Sequence, residues 1–199
     1  MTTRAIDVSG LPEYGFGHRS ILWWATLGIV AIEGTMFALL IATYLFLKGR
    51  AETWPPGVSP PLLTWGTVNL VILLASAIPN ELTKRAAERL DLRKVQIWMA
   101  VCIAFGIAFN VVRIFEFRSL NVSWDTNAYG SVTWALLGFH TVHILTDLAD
   151  TAVLALVMFI GPVDEHRFVD ASENAMYWYF VVIAWLPIYA VIYLAPRVA

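Results

Sequence analysis

Long apolar runs, separated by short polar stretches, set the organisation of this chain. They lie at about 22–47, 62–79, 95–116, 132–160 and 175–195. Each is near or above the ~20 residues that an α-helix needs to cross the hydrocarbon core of a bilayer. Apolar and polar residues do not alternate with a period of two, so a transmembrane barrel is a poor match. A helix also satisfies its backbone groups within one segment, as a dry interior requires. The pattern predicts an all-α, polytopic membrane bundle of five helices over residues 21–199, preceded by a polar amino-terminal tail, 1–20. That tail carries Arg4, Asp7, Glu13, His18 and Arg19 and lacks the apolar core of a signal peptide, so the first run reads as a retained helix.

The connections carry their own signals. Lys48 to Pro61 contains Trp54-Pro55-Pro56-Gly57 and then Pro60-Pro61, a rigid turn beside the membrane surface. Trp54, and Trp178 in the last run, are the candidate lipid and interface anchors, because an amphipathic ring favours the headgroup zone. Asn80 to Lys94 reads as the most basic connection, with Lys84, Arg85, Arg89, Arg93 and Lys94; Ser119 to Ser131 is turn-rich, and Gly161 to Asn174 is acidic. With the amino terminus inside, Arg4, Arg19, those five residues and Arg167 fall on the inner side. Only Lys48, Arg50, Arg118 and Arg197 fall outside. This asymmetry predicts an amino terminus on the inner, cytoplasmic side and a carboxyl terminus outside.

Composition supports this reading. Of 199 residues, 59% are hydrophobic and 14% charged, more apolar surface than a soluble domain of this size can hide. The net charge of −2 offers no basic field, which argues against a nucleic-acid partner. Cys102 is the sole cysteine, so neither an intrachain disulfide nor a cysteine-based metal site can form.

Ionisable residues inside the runs carry the functional question, since a charge at mid-bilayer costs at least ~2.5–3.5 kcal/mol on insertion scales. The first run contains Glu33, the third Asn110, Arg113 and Glu116, and the fourth His140, His143, Asp147 and Asp150. The fourth-run residues are spaced to share one helical face, and that stripe is expected to point into the bundle toward Glu33 and the Arg113–Glu116 pair. One reading is a buried polar cluster of Glu33, Arg113, Glu116, His140, His143, Asp147 and Asp150 that fixes helix packing. A second is a proton or ion path, in a stand-alone transporter or otherwise, since rows of carboxylate and imidazole serve such paths. A third is a carboxylate–histidine metal site. Di-iron bundles, however, draw Glu-x-x-His from two helices, and this chain has only His-x-x-His on one. A bis-histidine haem needs ligands from opposite sides, whereas His18 and His166 lie in aqueous segments. No catalytic residue, metal ligand set or cofactor of its own is expected.

In order and spacing these features resemble subunit III of haem–copper (cytochrome c) oxidases, in the short bacterial five-helix form, from about Ile21 to Pro196. The first run is similar to that family's Ser-Glu-x-x-x-Phe helix, with Glu33 and Phe37 in place and Ile32 where serine is usual. Trp54-Pro55-Pro56-Gly57 is similar to the family's loop, and Asn69 with Ser76 to its next helix. Glu116 matches a Gln-x-x-Glu-Tyr pattern in which Arg113 replaces glutamine and Phe117 the tyrosine. Tyr129-Gly130-Ser131 and Gly138-Phe139-His140-x-x-His143 are the most specific matches. Tyr177-Trp178-Tyr179-Phe180-Val181-Val182 resembles a closing Tyr-Trp-His-Phe-Val-Asp helix, with Tyr179 for histidine and Val182 for aspartate.

The resemblance implies a cofactor-free accessory subunit docked on catalytic subunit I, which would hold the haem and copper. It implies support of that partner's proton uptake and sustained turnover, bound structural phospholipid, and a carbodiimide-reactive carboxyl at Glu33. An accessory protein of a nitric oxide reductase would look similar. Arg113, Asp147 and Asp150 stand outside the family pattern, and an Arg–Asp network among them is expected to replace the lost histidine and aspartate contacts.

Overall fold

A computed structural model describes residues 15–198 of the chain; residues 1–14 of the polar tail lie outside the described residues. Five long helices follow a short 3-10 turn at Gly17–Arg19: α1 (Ile21–Arg50), α2 (Leu63–Glu88), α3 (Leu92–Arg118), α4 (Ala128–Ile160) and α5 (Glu165–Tyr189). Each is long and apolar enough to span a membrane, and there is no strand among the described residues. At about 1.5 Å per residue, even the 25 residues of α5 exceed the ~30 Å hydrocarbon core. α2, α3, α4 and α5 close a ring of packed neighbours, and α1 lies against α4 and α5. One end of the bundle, called here the amino-terminal end, carries the start of α1 and the α2–α3 and α4–α5 turns. The opposite, carboxyl-terminal end carries the α1–α2 and α3–α4 loops and the end of α5.

The helices extend past the apolar runs that predict them, because hydropathy marks the hydrocarbon layer and capping marks the helix ends. Asp91 Oδ1 accepts from the Lys94 amide (3.2 Å), Asn127 Oδ1 from Gly130 (2.8 Å), Asp164 Oδ1 from Arg167 (3.2 Å) and Ser20 Oγ from Leu22 (3.1 Å). Each satisfies an amide that its helix leaves unpaired. The largest difference is in α2. It runs on through Pro79 to Glu88, so the basic stretch expected as a loop from Asn80 to Lys94 is mostly helix. Pro79 is buried in the packed bundle, where neighbouring helices tolerate the missing amide. Beyond it, Thr83, Ala86 and Ala87 face Val95 and Met99, while Arg85 turns outward and pairs with Glu81 (2.6 Å). The turn itself is only Arg89–Asp91, with Leu90 in the left-handed region (φ 56°). The acidic stretch 161–174 is likewise helical from Glu165.

The outer surface is apolar on every helix, with Ile21, Ile32, Ile78, Ile107, Ile160 and Ile183 exposed. Such a continuous apolar surface belongs in lipid. α1 is the most peripheral helix and buries only Phe37 and Tyr44. α5 is the most enclosed, burying Trp178, Val181, Val182, Trp185 and Ile188 among others. It then widens into a π-helical turn, Ala190–Leu194, whose Tyr193 is buried. Gly66 on α2 makes room for that ring: a Cβ there would sit 2.5 Å from Tyr193 Cζ. At the α3–α4 loop a Cβ on Gly130 would sit 2.2 Å from the Ser123 carbonyl oxygen, so only glycine fits.

Candidate functional site

The intramembrane polar residues form two groups instead of one cluster. The first, toward the carboxyl-terminal end, is closed. Glu116 is fully buried; its Oε2 accepts from Asn69 Nδ2 (2.5 Å) and lies 2.9 Å from Arg113 Nη1, and its Oε1 accepts from the Tyr193 hydroxyl. The Arg113 guanidinium lies between two rings, 4.2 Å from the Trp185 centroid and 4.6 Å from that of Phe109. Its Nη2 reaches His140 Nδ1 at 3.3 Å. His140 Nε2 lies 3.0 Å from the Val181 carbonyl, which can only accept, so Nε2 carries the hydrogen and Nδ1 is free to accept from Arg113. A buried cation and a buried anion thus offset one another, and the flanking rings add a cation–π attraction of about 2 kcal/mol when desolvated.

The second group lies farther toward the amino-terminal end. Glu33 Oε2 accepts from the Tyr177 hydroxyl (2.7 Å), and its Oε1 lies 3.6 Å from His143 Nε2. His143 Nδ1 donates to the Phe139 carbonyl at 2.6 Å. Phe37 packs between the groups, its centroid 5.0 Å from His143 and 6.2 Å from His140. One turn along α4, Asp147 is 3% exposed. Asn174 Nδ2 bridges Asp147 Oδ1 (3.4 Å) and Asp150 Oδ2 (3.5 Å), and Asn174 Oδ1 accepts from Thr151 (3.1 Å). Asp147 Oδ2 has no hydrogen-bond partner among the described residues. A cleft of about 530 Å³ opens here between α1, α4 and α5, lined by Leu22, Ile29, Asp147, Asp150, Glu173 and Tyr177 among others.

Several expectations are corrected by this geometry. Asp150 is exposed, not part of a buried cluster, because the fourth-run stripe drifts off the packed face toward the cleft. The expected Arg–Asp network is absent: Arg113 pairs with Glu116 and His140, whereas Asp147 and Asp150 pair with Asn174. Seven residues of α4, about 10 Å of rise, separate Asp147 from His140. Trp178 is no interface anchor. It is 4% exposed and donates from Nε1 to Ser76 Oγ at 2.9 Å, holding α5 to α2. Trp54 is half-buried, donates to the Tyr44 hydroxyl (3.0 Å) and packs on Tyr129. Tyr193, Trp185, Asn174 and Glu173 completed these groups without being singled out from the sequence. A tyrosine hydroxyl inside an apolar run needs a buried partner, and that was the available signal for Tyr193; Asn174 and Glu173 lie in the stretch read as an acidic connection, which gave none.

Among the described residues, no three His, Cys, Asp or Glu side chains converge as a metal site would require. Both His140 nitrogens are engaged within the bundle.

The family model for cytochrome c oxidase subunit III matches residues 50–196. The chain belongs to the cytochrome c oxidase subunit III family. It is 26% identical to a protein named cytochrome c oxidase subunit 3 from Thermostichus vulcanus, over 93% of this chain and 92% of that one. A probable cytochrome c oxidase subunit 3 from Mycobacterium bovis is 28% identical over 96% and 98% of the two chains. That of Mycobacterium leprae is 30% identical over 81% of each. The family stretch spans α2 to α5 and so holds all of the closed group, together with the Asp147 side of the open one. Where the subunit III pattern carries histidine in the last helix, Tyr179 instead donates its hydroxyl to Glu81 Oε2 at 2.7 Å. Val182, at the aspartate position, is buried in the apolar core.

Proposed function

We propose that this chain is the accessory, cofactor-free subunit III of a haem–copper terminal oxidase. It sits in a bacterial inner membrane with its amino terminus in the cytoplasm, docked on catalytic subunit I, which holds the haem and copper. In that place it supports proton uptake by subunit I and keeps the complex active through repeated turnover, and phospholipid fills the grooves between its apolar outer faces. The carrying observation is the subunit III match over residues 50–196. It is supported by the way the chain uses its intramembrane histidines: His140 is held by Arg113 and the Val181 carbonyl, and His143 by the Phe139 carbonyl beside Glu33.

The test is purification of the tagged chain in mild detergent, with subunit identification and an optical spectrum. The proposal expects a co-purifying haem-bearing partner, and no haem absorbance from the chain expressed alone. A chain that purifies without any haem protein contradicts it. A partner with the spectrum and activity of a nitric oxide reductase would move the chain to that complex, and proton or ion flux by the chain alone in liposomes would make it a transporter.

A further inference from the structure

The cleft between α1, α4 and α5 has an unusual division of chemistry. Its walls are apolar, with Leu22, Ile29, Val153, Leu154 and Val157, yet its polar lining is mostly acidic: Asp147, Asp150, Asp170 and Glu173, against the single base Arg167. Arg167 is itself engaged by Asp170 at 3.2 Å. The cleft's mouth lies at the amino-terminal end of the bundle, where Leu22 stands near the start of α1 and Arg167 near the start of α5. Its deep end is formed by Ile29, Thr146, Asp147 and Tyr177. An acidic lining alone would signify little, but Asp147 is 3% exposed, lines the cleft, and keeps Oδ2 without a protein donor among the described residues. A buried carboxyl oxygen that the protein leaves unpaired costs stability unless a donor arrives from elsewhere. The cleft is roomy and polar enough at this point for that donor to be water.

Beyond the deep end stands a group built to hold a proton. The Phe139 carbonyl can only accept, so His143 carries a hydrogen on Nδ1, leaving Nε2 directed at Glu33 Oε1, 3.6 Å away. The two facing atoms are placed so that a proton could pass between them. The other Glu33 oxygen accepts from Tyr177, whose side chain is at once part of the cleft wall.

We propose that this cleft is a water-filled port through which protons exchange between the amino-terminal membrane face and the Glu33–His143 pair. Asp147 orders the water at its deep end, and Tyr177 is the connecting hydroxyl. In uptake, Tyr177 gives its hydroxyl proton to Glu33 Oε2 and regains one from cleft water, which is restored by the water behind it. Tyr177 is left unchanged and the pair holds one proton more; release is the reverse. The charged groups facing the route are Asp150, Glu173, Asp170 and Arg167, with Asn174 holding Asp147 and Asp150 in place. This rests on the reading of the chain as a subunit that assists proton uptake, and it gives that reading a location.

The test uses the intact complex in lipid nanodiscs, with single cysteines placed at Ile29 and Val153 in the cleft and at Leu39 on the lipid face. A charged, water-soluble thiol reagent should modify the two cleft positions at least about tenfold faster than position 39, because reagent and water are excluded from the hydrocarbon. Equal rates at all three would overturn the port. Infrared bands lost in Glu33→Gln then identify the pair, and their hydrogen–deuterium exchange should slow at least about tenfold in Asp147→Leu and in Val153→Trp, which fills the cleft. Unchanged exchange in both variants would overturn the route, with retention of the variant chain in the purified complex serving as the check on folding. These readouts need no turnover, so their failure leaves the accessory role standing, and failure of co-purification leaves the port measurable on the isolated chain.

Discussion

The two polar groups in this bundle meet the same membrane with opposite solutions. Around Glu116 every charge has a neighbour: Arg113, Asn69 and Tyr193 surround one carboxylate, and two aromatic rings enclose the guanidinium. Around Asp147 the contacts are long, one oxygen has no protein donor among the described residues, and a cleft reaches the site. A closed group trades the desolvation of its members against one another and fixes how α2, α3, α4 and α5 pack. An open one gives up stability and retains access. Charge inside a membrane therefore does not by itself mark function: among the described residues Arg113 Nε and Asn69 Oδ1 in the closed group also lack hydrogen-bond partners, and it is the cleft at Asp147 that separates exchange from packing.

Mutations can break this contrast. The largest effect belongs to Glu116→Leu, which strands a buried guanidinium that cannot shed its charge. A loss of about 3–5 kcal/mol is expected, read as a drop in thermal stability and in recovery of assembled complex. Arg113→Gln, which restores the residue usual in the family, should cost clearly less, because Asn69 and Tyr193 still donate to Glu116. Next is Gly66→Ala: its methyl group would displace the Tyr193 ring and should cost about 1–3 kcal/mol through overpacking. Trp178→Phe removes the donor to Ser76 and is expected to cost about 1 kcal/mol, without effect on the Glu33 bands.

The open group predicts the contrary sign. Asp147→Asn should leave stability unchanged or raise it by about 1 kcal/mol, since it removes a buried, incompletely paired carboxyl, as stabilising changes at functional sites often do. A large loss of stability would place Asp147 among the packing residues and erase the contrast. The smallest effect lies outside the membrane at the α2–α3 turn. The Lys94 side chain, 2.7 Å away, and then the Lys94 amide hold the exposed Asp91 carboxyl below its ordinary range. That contribution is present at neutral pH and disappears as pH falls through the lowered value, so Asp91→Asn should lower stability slightly at pH 7, flatten the acid limb of a stability profile and converge with the parent at low pH.

Much of this was legible in the sequence. Five runs of sufficient length gave five helices, and His140, His143 and Asp147 do share the packed face of α4. Helix ends were not legible, since α2 continues through Pro79 once neighbours cover the missing amide. Nor was the split of the polar residues. Spacing within one helix says which side chains share a face, but which other helix stands opposite depends on how the bundle closes. Asp150 satisfies the same spacing as Asp147 and yet is exposed where Asp147 is buried, and Trp178 has the composition of an interface residue while lying in the core. The Arg113–Glu116 pair was legible from its spacing and is present at 2.9 Å, but the further network expected between Arg113 and the aspartates of α4 is not.

The central claim, a subunit that serves a catalytic partner without holding its cofactors, is tested most directly by deleting this chain from the complex. The haem spectrum of the purified remainder and its activity over successive turnovers are then compared with the intact complex. The account predicts an unchanged haem spectrum and substantial initial activity, with proton uptake slowed and activity decaying as turnover proceeds. Loss of haem on deletion, or sustained activity and proton uptake indistinguishable from the intact complex, would contradict it.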